Sequence, residues 1–207
     1  MTNPPDKILF LPGASGNTQF WQPVCERLSL TAQKFHVGWP GFGDVPPIRS
    51  VASMDDLVAR VAAEIDRPTA LVAQSMGGIV AMRVALQHPD LITHLVLTVT
   101  SGGVDMSDLG AQDWRAEFAA DNPTLPRWFL DDRTDLTHRL DEMHMPVLLI
   151  WGDSDPISPL GVGQRLNQLL PNAEIHVLSG AGHDLGFTHP LEVAGLIDKH
   201  LAHGLGS

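Results

Sequence analysis

Six short apolar runs, at residues 8–11, 35–39, 70–73, 95–99, 147–151 and 175–178, decide what this chain can fold into. Each looks like a strand buried on both faces, and such strands need covering layers above and below their sheet. Helical patterns between the runs supply those layers. Leu57, Val58, Val61, Ala62 and Ile65 share one helix face after a capping Ser53, and Val193, Ile197 and Leu201 do the same after Pro190. Residues 77–86 are apolar nearly all round, as befits a helix packed centrally on a sheet, and His88-Pro89 ends them. Strand alternating with helix predicts an α/β architecture: a mostly parallel six-stranded sheet with helices on both faces. At 207 residues the chain reads as one domain.

Residues 104–144 break the alternation. They hold no strand pattern and are predicted to form a short helical cap inserted into a core made of residues 1–103 and 145–207. Ten acidic and four basic side chains lie in this segment, which accounts for more than half of the formal net charge of −11. Trp114 and Phe118 are one helical turn apart, and Trp128-Phe129-Leu130 form an apolar cluster. These aromatics either dock the cap on the core or wall a substrate pocket, with Trp128 and Phe129 the candidates for the wall. No internal repeat is present, and residues 204–207 are expected to form a frayed tail.

Charge and cysteine narrow the partners. A chain with 24 acidic and 13 basic residues repels phosphate backbones and anionic lipid, which argues against nucleic-acid and membrane binding. A single cysteine, Cys25, precludes an intrachain disulfide. The first residues lack the basic patch and apolar run of a signal peptide, and no stretch reaches the roughly 18 apolar residues of a membrane span. A cytoplasmic location is the resulting expectation.

Four loops at predicted strand ends carry chemistry. Ala73-Gln74-Ser75-Met76-Gly77-Gly78 joins a buried strand to an apolar helix, so Ser75 sits in a sharp turn that only small neighbours allow. That turn exposes the hydroxyl and aims the Met76 amide at the same place, beside a helix N-terminus that favours developing negative charge. Leu11-Pro12-Gly13-Ala14-Ser15-Gly16 follows the first strand; without a Gly-Lys-Ser/Thr it is no phosphate loop. Trp151-Gly152-Asp153-Ser154-Asp155-Pro156 and Gly180-Ala181-Gly182-His183-Asp184 follow the last two strands. Ser, Asp and His thus meet at the sheet edge where open parallel sheets bind ligands. Spacing alone leaves Asp153 and Asp155 as alternatives for the acid. The other nine histidines fall within or beside strands, before prolines, in the cap or on the terminal helix, where structural or solvated roles are expected. No metal site is expected, for want of a His-Glu-x-x-His pair, a cysteine cluster or a calcium loop.

These motifs, with Trp39-Pro40-Gly41-Phe42-Gly43 and the apolar approach to Gly152, resemble the alpha/beta-hydrolase superfamily from Ile8 to about Leu201, and small serine carboxylesterases with a short cap in particular. The resemblance implies Ser75 as nucleophile, His183 as general base and then acid, Asp155 as the residue that orients His183, and the Ala14 and Met76 amides as an oxyanion hole. It also places Ile157 near the pocket and calls for no cofactor. Pro12-Gly13 stands where the family usually has His-Gly, and Ala73 where it has glycine. The sequence begins at what corresponds to the family's third strand, so a sheet without the leading antiparallel hairpin is expected, and the short cap predicts an open or shallow pocket.

The implied reaction is acyl transfer from a small or medium carboxylic ester through an acyl-serine to water. A serine nucleophile argues against dehalogenase and epoxide-hydrolase chemistry, for which the fold uses aspartate. Two alternatives keep the same residues: hydrolytic or lyase-like cleavage of a carbon–carbon bond, and ligand binding without turnover. An acidic cap disfavours polyanionic substrates and acidic carrier proteins. Oligomeric state is not legible in the sequence.

Overall fold

The computed structural model of the protein describes residues 4–202; the tail at 204–207 and His203 lie outside them. In chain order the elements are β1 (Lys7–Leu11), α1 (Gln22–Cys25), β2 (Gln33–His36), α2 (Met54–Ala62), β3 (Thr69–Gln74), α3 (Met76–Gln87), β4 (Ile92–Thr98), α4 (Arg115–Asp121), β5 (Val147–Gly152), α5 (Leu160–Leu169), β6 (Ala173–Leu178), α6 (Leu185–Thr188) and α7 (Pro190–Ala202). Two 3₁₀ turns, Trp128–Asp131 and Thr137–Glu142, follow α4. Residues 104–144 therefore contain no strand.

The strands form one sheet in the order β2-β1-β3-β4-β5-β6, and every pair is parallel. One register row runs across it through Phe35, Leu9, Leu71, Leu95, Val147 and Ala173. The chain starts at β1, steps outward to β2, then returns past β1 to β3 and continues the other way. This reversal opens a crevice at the carboxyl ends of β1 and β3, from which the Gly13 loop and the Ser75 turn emerge. Ser53 caps α2 as its sequence predicts, accepting a hydrogen bond from the Asp56 amide at 3.1 Å.

Burial on both faces holds for β1, β3 and β5 throughout and for nearly all of β4, but not for the two outer strands. There the expectation fails. β2 and β6 alternate between exposed and half-buried positions, with Phe35 47% and Val177 46% exposed. An edge strand has a neighbour on one side only, and less of each face lies beneath a helix. β2 also ends at His36, so Val37 to Trp39 belong to the loop beyond it.

Candidate active site

Ser75 joins β3 to α3 with φ 53° and ψ −122°. A non-glycine residue in that region is held there against its own preference. Packing supplies the hold. Ser75 N–H donates to the Thr98 carbonyl at 3.0 Å, and the Gly78 amide donates back to the Ser75 carbonyl at 2.9 Å. A Cβ on Gly77 would collide with the Pro12 and Leu11 carbonyl oxygens, and one on Gly78 with the Thr100 side chain, so α3 can approach β1 and β4 this closely only with glycine at both positions. Ala73, two residues before the serine, is fully buried and fits without glycine.

The loops after β5 and β6 bring the other two groups to the serine. His183 Nε2 lies 3.0 Å from Ser75 Oγ, and His183 Nδ1 lies 2.7 Å from Asp155 Oδ2. The Asp155 side chain is fully buried, and its other oxygen accepts the Ile157 and Ser158 amides at 2.8 and 3.2 Å. Asp153 makes different bonds. Its Oδ1 accepts the Gly180 amide at 2.7 Å and the Ser154 hydroxyl at 3.1 Å, tying the β5 loop to the β6 loop. The Gly180 amide bond is the main reason its carboxyl is held below the usual range, aided by Ser154. A Cβ on Gly152 would collide with the Ala181 carbonyl, which explains why the β6 loop can lie directly on the end of β5.

Ala14 and Met76 are both buried beside this cluster. Neither amide donates to a backbone acceptor among the described residues, so both are free to serve an incoming oxygen. Three buried tryptophans hold the surrounding loops in place by their indole N–H groups: Trp21 donates to the Leu11 carbonyl at 3.0 Å, Trp39 to Gly13 at 2.9 Å and Trp151 to Ser158 at 3.0 Å. Sequence reading assigned none of them this work. For Trp39 and Trp151 a position at or near a strand end was the available signal.

A model of the alpha/beta hydrolase family matches residues 8–138, and a second, for the alpha/beta hydrolase fold, matches 116–190. The chain belongs to the alpha/beta hydrolase family. Among curated family members, a pimeloyl-[acyl-carrier protein] methyl ester esterase of Neisseria meningitidis serogroup B is 28% identical, covering 96% of this chain and 94% of its own. A 2-hydroxy-6-oxononadienedioate/2-hydroxy-6-oxononatrienedioate hydrolase of Paraburkholderia phymatum is 30% identical over 86% of this chain and 79% of its own. Solved structures agree in fold. A thermophilic esterase from Thermogutta terrifontis superposes with a TM-score of 0.78 at 21% identity, covering 95% of this chain and 89% of that one. A bromoperoxidase from Bacillus anthracis gives 0.82 at 19%, with 96% and 92% covered.

The serine opens into a cavity. Its volume is about 60 Å³. Its walls include Met54, Ile79, Val99, Trp114, Phe129 and Ile157, with Ser75 and His183 at one end. Phe129 and Ile157, two of the three wall candidates, are among the lining residues. Trp128 is not among them; it packs edge-on against Phe42 at 5.7 Å, a docking contact. Phe129 also packs edge-on against Phe42, at 5.2 Å, so it docks the 104–144 segment as well as lining the cavity. Val99, with φ 42°, is the other non-glycine residue with positive φ among the described residues, and it lines the same cavity as Ser75. A larger space of about 550 Å³ adjoins it, and Ile79, Ser101, Met106, Trp114, Arg115 and Asp132 line both. Among the described residues no three His, Cys, Asp or Glu side chains are grouped as a metal ion would require.

Proposed function

We propose that the protein is a serine hydrolase that cleaves carboxylic esters of small or medium acyl groups, with Ser75, His183 and Asp155 as its triad. The observation that carries this reading is the unbroken hydrogen-bonded chain from Ser75 Oγ through the imidazole to a buried carboxylate, built on a serine held at positive φ. Neutral His183 with its proton on Nδ1, facing Asp155, presents Nε2 to the serine hydroxyl. As Ser75 attacks the ester carbonyl, Nε2 takes its proton, and Asp155 steadies the imidazolium. The carbonyl oxygen becomes an oxyanion, which the Ala14 and Met76 amides receive at the N-terminus of α3. Collapse expels the alcohol with the proton from His183, and water then releases the acid by the same steps.

Residues 104–144 act as the cap in this reading. Trp114 and Phe129 from the cap, with Ile157 from the β5 loop, form the apolar wall that selects the acyl group. The small volume beside Ser75 favours a small acyl group or a small alcohol, and the acidic cap disfavours an acidic carrier protein as partner. No helix among the described residues is long and apolar enough to cross a membrane. Hydrolysis of a carbon–carbon bond beside a ketone is the second reading. It is favoured by the 30% identical relative, whose named substrate carries an oxo group and carboxylates but no ester.

A panel of esters graded by acyl length, assayed with the purified protein, tests the proposal, and identification of the products separates the two readings. Ser75→Ala is expected to abolish fluorophosphonate labelling and to lower ester turnover roughly 10^4-fold or more. Undiminished labelling of that variant would refute the assignment.

A further inference from the structure

The carboxyl end of β3 buries a polar side chain that ester hydrolysis as described leaves unused. Gln74 is 4% exposed, at the end of a strand buried along its whole length. An apolar residue would suit that environment, because a buried amide without a partner is costly. This amide has a partner of a specific kind: Gln74 Nε2 donates to the backbone carbonyl of His183 at 3.3 Å. Its other edge lies against the loop after β1, where a Cβ built on Gly13 would collide with Gln74 Oε1. A single side chain, on the residue bonded to Ser75, therefore touches both the loop of the base and the loop of the Ala14 amide.

The His183 loop needs such a tie. A Cβ placed on Gly180 or Gly182 would meet nothing within 4 Å, so packing does not confine the chain at those positions. The main-chain ties to β5 are made at Gly180, which donates to Asp153, and at Ala181, whose carbonyl accepts the Ser154 amide at 3.1 Å. At His183 itself the ring is held by Asp155 and Ser75, and the main chain by Gln74.

We infer that Gln74 is a positioning residue that clamps the His183 main chain to the nucleophile's strand and keeps Nε2 at proton-transfer distance from Ser75 Oγ. The inference rests on the reading of Ser75 and His183 as nucleophile and base. Gln74 is not among the residues that line the cavity, so its effect falls on the chemical step and not on substrate binding. Misplacement of a reacting group by an ångström can cost about 100-fold; loss of one restraint among three on His183 is expected to cost about tenfold.

The test is Gln74→Met, which keeps the volume and removes the donor. Turnover is measured per serine titrated with a fluorophosphonate. The expected result is a kcat about tenfold lower per labelled site, KM within about twofold of wild type, and a parallel fall in labelling rate. A merely structural role would lower the melting temperature and the labelled fraction while leaving turnover per labelled serine at the wild-type value, and that result would overturn the inference. Gln74→Glu, which keeps the shape but sets a carboxylate oxygen against the His183 carbonyl, guards against misfolding of the first variant. It should lose at least as much kcat, and wild-type turnover per labelled serine from it overturns the inference equally. Failure of the wild-type protein to label at Ser75 is a different result, seen before any variant is made, and it removes the underlying assignment instead.

Discussion

Replacing Asp155 by Asn changes almost nothing in shape and reverses the hydrogen-bond polarity of the site. Asp155 Oδ1 accepts two backbone amides, from Ile157 and Ser158, and only an oxygen can occupy that position. In the Asn variant the amide oxygen must stay there, so its NH2 group takes the place of Oδ2, 2.7 Å from His183 Nδ1. Nδ1 then has to accept, which moves the ring proton to Nε2, facing Ser75. An Nε2–H cannot remove the hydroxyl proton, and the negative charge that steadies the imidazolium is gone. The expected loss is roughly 10^4-fold in kcat, with the fold intact because both backbone bonds survive. Asp153→Asn is the internal control. Its oxygen can still accept the Gly180 amide, and no bond of Asp153 reaches His183, so activity should stay within about tenfold. Both variants are compared with wild type in an ester assay normalised to folded protein, with circular dichroism and thermal melts as the check. An active Asp155→Asn beside a dead Asp153→Asn would refute the reasoning.

Trp39→Phe removes the indole donor to the Gly13 carbonyl and should lower kcat about tenfold with little change in KM, less than the 10^2 to 10^3 of a lost oxyanion donor, since the Ala14 amide is displaced and not deleted; wild-type kcat would show that Trp39 only packs. Gly77→Ala forces a methyl group onto the Pro12 and Leu11 carbonyls, and a loss of about 1–3 kcal/mol in urea denaturation is expected together with reduced turnover. His200 is buried on α7, its ring 5.2 Å from that of His94, and Glu174 and His176 of β6 also face this corner. Burial, with His94 adding to it, pushes the His200 imidazole down to about 4. Below its ordinary value of about 6.5 the unfolded chain takes up a proton that the folded chain refuses, so stability present above that pH is lost as pH falls towards 4, by up to about 3 kcal/mol; denaturant midpoints at pH 7.5 and 5 should differ more in wild type than in His200→Leu, where His36, also lowered by burial, still contributes. Phe129→Ala should shift preference towards bulkier acyl groups, whereas Trp128→Ala should lower the melting temperature and leave preference unchanged; a shift in preference with Trp128→Ala would return that residue to the pocket wall.

What the sequence determined by itself is what depends on neighbours along the chain. Alternating strand and helix patterns specify a parallel sheet, Ser53 and Pro190 mark helix starts, and small residues around Ser75 and His183 place both at strand ends, because backbone geometry and hydrophobic period are local properties. Tertiary structure decided whatever depends on which distant segment arrives. Asp153 and Asp155 are chemically alike and two residues apart, and only the approach of the β6 loop assigns one to the imidazole and the other to Gly180. The same holds for Trp128, which packs on Phe42, and for the outer strands, whose edge position leaves Phe35 and Val177 in solvent. Trp39 and Gln74 were silent for a related reason: each acts through a backbone carbonyl, of Gly13 and of His183, and a carbonyl looks the same at every position of a sequence until folding places a particular donor within reach.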